Sequence, residues 1–421
     1  MQVRSVLLAL ALFGAGCRSV SAPAAARAAA APPPIPQFVA RPAWNVSPRG
    51  EQGAELLDLW NLGDLDGDGF EDLAAEEDGF PQNWTWLVFG RDGAAKLDAL
   101  NVTLPPHVRR DAEGSLDLAR GFVNVGDTDG DGRPDIAMSE CGVDTFGRFR
   151  PSGVWLFSTD PWRILKTWRR NVDSFGAFIA PVGDVDGDGK ADMATVNDYN
   201  PPAVEVLSLA SETSLWRVEF PFELGDVRDF IAIGDLDGAG CDELALSLWT
   251  GRRGSWMQCL LRGEDGTVIW SRSSPKGSRP GVVEFRRAGD VDGDGAPDLW
   301  TLGETPFAKP GRIELRSGRD GGLIRSFVSS CDGPFASTSA PDMDGDGANE
   351  LAVLWNPDGL GNGGLVEVLS SRNFEALVQF HCDPAHSIAA LRTPNGVRIV
   401  VTSGPSLQAF DLVSVEGAGE R

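Results

Sequence analysis

Histidine is nearly missing from this chain of 421 residues: His107, His381 and His386 are all of it. None lies in a Ser or Cys nucleophile motif, no zinc-type histidine pair occurs, and no glycine-rich phosphate loop is present. The common hydrolytic and nucleotide-dependent chemistries therefore have no recognisable seat. No Cys-x-x-Cys pair exists among the six cysteines, which argues against zinc. A basic stripe is also lacking, and a net charge of −24 makes nucleic acid a poor partner. Long helical patterns are absent, while 51 glycines and 28 prolines imply many turns. The apolar run from Val6 to Phe13 is too short to span a bilayer.

What the chain does have is one acidic stretch, Gly63-Asp64-Leu65-Asp66-Gly67-Asp68-Gly69-Phe70-Glu71-Asp72-Leu73, and five near copies of it. Counting from Asp64, acids stand at positions one, three, five and nine, with glycines at four and six to supply the positive φ of a tight curl. Alternate residues of such a curl can aim carboxylates at one point, and calcium takes six to eight oxygens at about 2.3–2.6 Å. The acids recur as Asp127, Asp129, Asp131, Asp135; Asp184, Asp186, Asp188, Asp192; Asp235, Asp237, Glu243; Asp290, Asp292, Asp294, Asp298; and Asp342, Asp344, Asp346, Glu350. Six loops of four acidic positions, less Ala239 in the fourth, hold 23 of the 61 Asp and Glu, leaving 38 against 37 Lys and Arg. Outside the loops the protein is nearly neutral, so the acidity is placed for metal. An EF-hand needs Glu at position twelve, where five loops here have Ala75, Met138, Thr195, Thr301 and Val353. Magnesium, which keeps its waters, suits such a cage less well than calcium.

Between the loops one plan recurs. A short apolar segment precedes each loop and a strand such as Asp135-Ile136-Ala137-Met138 follows it. Then come a turn-rich connection, an alternating strand such as Val204-Glu205-Val206-Leu207, and a hairpin marked by Asp92-Gly93, Asp265-Gly266 or Asp320-Gly321. Four strands per unit, repeating, predict an all-β fold, a seven-bladed β-propeller with calcium loops in six blades, one of them degenerate. Two residues before each loop the side chain is apolar (Leu62, Val125, Val182, Ile233, Ala288, Ala340) and should pack between blades. A seventh unit, Ser387 onward, lacks the loop. Phe38 to Val46, with Trp44 where other fourth strands carry Trp168, Trp216 and Trp270, is expected to complete it and close the ring.

These loops and their period resemble the FG-GAP repeats of integrin alpha-chain propellers and of bacterial exported proteins, over roughly Phe38 to Val413. The resemblance implies one structural calcium per loop between first and second strands, with the backbone carbonyl at position seven as a further ligand. That adds Phe70, Arg133, Lys190, Ala296 and Ala348 to the acids. Five or six sites follow, since the fourth loop lacks an acid and should be weak or vacant.

Residues 1–16 read as an export signal, with Arg4, the apolar run and small residues before Cys17, which resembles the lipidated cysteine of bacterial lipoproteins. An ordinary cleaved signal is the alternative. Residues 17–36 form an Ala/Pro linker, 37–415 the propeller and 416–421 a tail. Of the later cysteines, Cys331 and Cys382 follow equivalent segments and could approach each other, while Cys141, Cys241 and Cys259 look like small buried residues. The function expected is a non-enzymatic, monomeric binding or adhesion scaffold at the cell envelope, held to the membrane only by its lipid and presenting a face to a protein or glycan. The alternative is an exported polysaccharide lyase or hydrolase. The thirteen tryptophans read as packing. A partner should meet the connections between second and third strands: Phe80 to Trp84, Phe146 to Arg150, Tyr199 to Pro202, Arg252-Arg253, Phe307 to Lys309 and Asp358 to Asn362.

Overall fold

A computed structural model describes residues 38–47, 55–77, 84–96, 118–140, 152–170, 175–197, 201–220, 226–249, 256–273, 283–303, 312–328, 336–355 and 363–415. Within them, 28 strands form seven four-stranded antiparallel sheets. In six sheets four consecutive strands pair in chain order, as in blade one: Leu56–Gly63, Asp72–Glu77, Trp84–Val88 and Ala95–Lys96. First strands of successive blades touch all the way round, and that of blade seven, Ile388–Thr393, meets that of blade one. The sheets are thus the blades of a closed seven-bladed propeller, and no sheet stands alone.

Blade seven is built from both ends of the ring. Phe38–Val46 pairs with Ser406–Ser414, which pairs in turn with Gly396–Ser403 and then Ile388–Thr393. Phe38 lies opposite Ser414 and Val46 opposite Leu407. The indole of Trp44 donates to Gly90 O at 3.1 Å, as Trp216 donates to Gly263 O at 2.8 Å and Trp270 to Gly318 O at 2.7 Å. Phe38–Val46, the first of the described strands, thus fills the place of a fourth strand in the ring's last blade. Gly318 itself is obligatory: a Cβ there would fall 1.9 Å from Pro297 O, on the last turn of the acidic loop.

Burial follows position in the blade. Second strands are covered on both faces by neighbouring blades, so Asp192–Asn197 and Glu350–Trp355 are buried at every residue. The outermost strand Leu323–Val328 is largely exposed. Core side chains interdigitate between blades: Leu62, Ala74 and Leu87 of blade one pack with Phe122, Ile136, Met138 and Phe157 of blade two. All six apolar residues two places before the loops are buried. So are Trp86, Trp155, Trp168, Trp270, Trp300 and Trp355, which serve packing; each large apolar side chain so covered contributes about 1.5–3 kcal/mol.

The export signal, Cys17, the Ala/Pro linker, Cys141, Cys331 and His107 lie outside the described residues. So do the expected partner loops, save Trp84, Pro201 and Pro202 at their ends. Cys241, Cys259 and Cys382 are free thiols, and burial pushes that of Cys259 up to about 12.

Candidate metal centres

Each acidic loop follows a first strand and is wound by its own carboxylates. In loop one, Gly63, Gly67 and Gly69 take φ of 73°, 77° and 88°. Their turn brings the N–H groups of Gly67, Asp68 and Gly69 onto the Asp64 carboxylate at 2.7, 3.1 and 2.8 Å. The two glycine contacts recur at Asp127, Asp184, Asp235, Asp290 and Asp342. At position three, Asp66 Oδ1 accepts from Asp68 N at 3.1 Å. At position five, Asp68, Asp131, Asp188, Asp294 and Asp346 each accept the N–H of the residue at position seven (Phe70, Arg133, Lys190, Ala296, Ala348) at 2.8–2.9 Å. Position nine, the first residue of the second strand or its neighbour, reaches back to the N–H at position two: Asp72 from Leu65, Asp192 from Val185, Asp298 from Val291 and Glu350 from Met343, at 2.8–2.9 Å.

Five loops gather carboxylate oxygens within 4.8 Å of one another: Asp64, Asp66, Asp72; Asp127, Asp129, Asp135; Asp184, Asp186, Asp192; Asp290, Asp292, Asp294; and Asp342, Asp344, Asp346, Glu350. Oxygens that close can all lie about 2.3–2.6 Å from a common centre, the reach of calcium. Sequence reasoning placed all four acids of a loop in one set, and only loop six does so; Asp68, Asp131, Asp188 and Asp298 stand outside theirs. Among the described residues, Asp235, Asp237 and Glu243 of loop four form no such group.

The position-nine acids carry the electrostatic signature of the loops. Asp135, Glu243 and Glu350 are fully buried, and Asp135 Oδ1, Glu243 Oε1 and Glu350 Oε1 have no hydrogen-bond partner. A buried acceptor left unsatisfied costs about 1–3 kcal/mol, more when charged. Burial is the main reason these carboxyls are pushed up, Asp72, Asp192 and Asp298 to about 6, Glu243 to about 7 and Glu350 to about 9, with the other acids of each loop adding to it. In the grouped loops the residues therefore fit a divalent cation, which would satisfy the orphaned oxygens of Asp135 and Glu350 and offset the mutual repulsion.

Arginines, which sequence reasoning missed, also reach these acids. Arg91, Arg262 and Arg319, in or entering the hairpin between third and fourth strands, pair with Asp68 at 3.0 Å, Asp237 at 3.0 Å and Asp294 at 2.8 Å. Arg163 pairs with Asp129 at 2.7 Å, and Arg372 lies 3.6 Å from Asp344. The one sequence signal was a hairpin Arg at the same offset in blades one, five and six: Arg91, Arg319 and Arg372.

A second polar feature lies on the ring axis, where the first strands enclose a cavity of about 520 Å³. Arg286 holds two carboxylates there, Asp229 at 3.4 Å and Glu284 at 2.9 Å, and donates to Ser337 O across the next blade. Burial pushes Asp229 up to about 6 despite the guanidinium. Arg286→Met is expected to leave both acids facing each other without a counter-charge. For so enclosed but partly solvated a pair the loss should be about 2–3 kcal/mol, below the about 3–5 kcal/mol of a wholly buried one, read as a lower midpoint in urea unfolding.

No family model and no curated protein matches this sequence. Solved structures do match. The crystal structure of BBS1N in complex with ARL6DN, soaked with lead, aligns with a TM-score of 0.57 at 12% identity, covering 89% of this chain and 97% of that one. The Dos1 propeller aligns at 0.54 and 8% identity, over 88% of this chain and 95% of its own. A rhamnogalacturonan lyase, PL11 of Bacillus licheniformis, aligns at 0.46 and 15% identity, over 89% and 75%. At such identities the likeness is one of fold: the class of protein is a seven-bladed β-propeller bearing acidic loops, and the FG-GAP likeness rests on the loop residues alone.

Proposed function

We propose that this chain is an exported, calcium-stabilised propeller of FG-GAP type that acts as a non-enzymatic binding scaffold at the cell envelope, lipidated at Cys17. The observation that carries the calcium reading is the set of buried, partnerless carboxylate oxygens at position nine, two of them, on Asp135 and Glu350, in residues of a close acidic group. Calcium at the five grouped loops supplies charge and a tie between first and second strands, not chemistry. The loop acids and glycines shape the cage, and the residue at position seven lends its backbone. Export fits an abundant calcium supply, and a rigid ring fits the display of variable connections to a protein or glycan. Elemental analysis of the purified mature chain tests the metal. A glycan array, a pull-down and a polysaccharide-cleavage screen run together test the role, and cleavage of a defined polysaccharide would replace the scaffold reading with the enzymatic one.

The carboxyl shifts set the pH dependence. Asp72, Asp192, Asp298, Glu243 and Glu350 have folded values above those of the unfolded chain, so in chelator-stripped protein their contribution to stability is fully present below about pH 4 and is lost as pH rises through about 6 to 9. Loaded protein escapes this loss at Asp72, Asp192 and Glu350, the ones among these acids that lie in a close group, because calcium holds their carboxylates ionised. The gap in melting temperature between loaded and stripped protein should therefore widen from pH 5 to pH 8, and a gap independent of pH would contradict the assignment of position nine to metal.

A further inference from the structure

Loops two and three are fastened to the loop before them by the side chain at position seven. Arg133 Nη1 donates to Leu65 O at 3.3 Å, and Lys190 Nζ donates to Thr128 O. Leu65 and Thr128 are the position-two residues of loops one and two, and their own N–H groups hold Asp72 at 2.9 Å and Asp135 at 2.8 Å, both members of the grouped acids. Thr128 adds its hydroxyl to Asp135. At the other end, the backbone N–H of Arg133 and of Lys190 is bonded to the position-five acid, Asp131 or Asp188, at 2.9 Å. Those two acids are the ones that stand outside their groups.

For loop three to bring all four of its acids onto an ion, Asp188 must move toward Asp184, Asp186 and Asp192. Its hydrogen bond to Lys190 N carries that residue along, and the Lys190 ammonium then shifts or fixes Thr128, which positions Asp135 in loop two. The same chain of contacts runs from Asp131 through Arg133 and Leu65 to Asp72 in loop one. Loops five and six are different. Their position-seven residues are Ala296 and Ala348, which have no side chain to reach a neighbour, and their position-five acids already lie in the group. Loop six does touch blade five through Asn349 N on Ala288 O at 2.7 Å, but Ala288 precedes the loop and holds none of its acids.

We infer that loops one, two and three fill with calcium as a coupled set through Arg133 and Lys190, whereas loops five and six fill independently. The inference rests on the calcium reading of the loops. Its test is calorimetric titration of the stripped full-length chain with calcium, with native mass spectrometry counting ions per molecule. Lys190→Met and Arg133→Met should keep the final ion count but flatten the titration and raise the free-calcium midpoint of the coupled set about fivefold, the low end of ordinary coupling between sites. Lys190→Arg, which keeps a donor, should restore the steepness. The direction is diagnostic, because removing a nearby positive charge acts by itself to tighten cation binding. Methionine variants that bind the same number of ions with unchanged steepness and midpoint, or bind more tightly, overturn the coupling and leave the calcium reading standing. A chain that binds no calcium at all overturns both. Should either methionine variant fail to fold, the wild-type titration decides: three ions taken up in one steep step beside two taken up without cooperativity supports the coupling, and uptake of all ions with no steep step overturns it.

Discussion

Stripping the loops with a chelator should lower the melting temperature by about 15 °C. One saturated site stabilises the folded state by about 2.7 kcal/mol when calcium stands a hundredfold above its Kd, so five grouped loops together contribute about 13 kcal/mol. Spread over the unfolding entropy of a ring this long, that converts to the stated shift. The direction follows from the geometry, because without a cation the acids of each group face one another and the buried oxygens of Asp135 and Glu350 have nothing to accept from. Differential scanning calorimetry with and without chelator, with calcium added back, measures it. A melting temperature that ignores the chelator would remove the metal from the account of this fold.

Removing Phe38–Val46 should have the larger effect. This strand carries no loop acid, and its loss leaves all six loops intact. It nevertheless supplies the outer pairing of blade seven along Ser406–Ser414, the Trp44 contact with Gly90, and cover for Phe410 and Leu412. Without it the Ser406–Ser414 edge is bare and apolar, a template for pairing with another chain. The shortened chain is expected to be mostly aggregated on size-exclusion chromatography even in saturating calcium. Recovery of a monomer that melts like the parent would show that the ring does not need the clasp. Trp44→Ala, a milder change, should behave as an intermediate.

The fold could be read from the sequence because each blade repeats two periodicities at once. Short apolar alternations give strands, and the acid spacing gives a fixed marker between first and second strands, so the seventh blade could be recognised by its strands even without the marker. The loops were legible for the same reason, since positions one, three, five and nine are set by local backbone winding. What was not legible depends on contacts between repeats. The placing of Asp68, Asp131 and Asp188 outside their groups is a matter of a few ångströms that no spacing encodes. Arg286 stands in a different repeat from Asp229, and Arg133 from Leu65, with no shared pattern to announce the pairing. Lysine and arginine at position seven look like any solvated charge until the neighbouring blade is in place.

The pairing of Phe38 with Ser414 sets an order in time. During synthesis Phe38–Val46 is made long before its partner and waits while six blades and most of a seventh are produced behind it. So distant a contact is slow to find, and the waiting segment is exposed to every other nascent chain nearby. Until Ser406–Ser414 has been made, Phe38–Val46 has no partner, so blade seven closes only when that strand arrives.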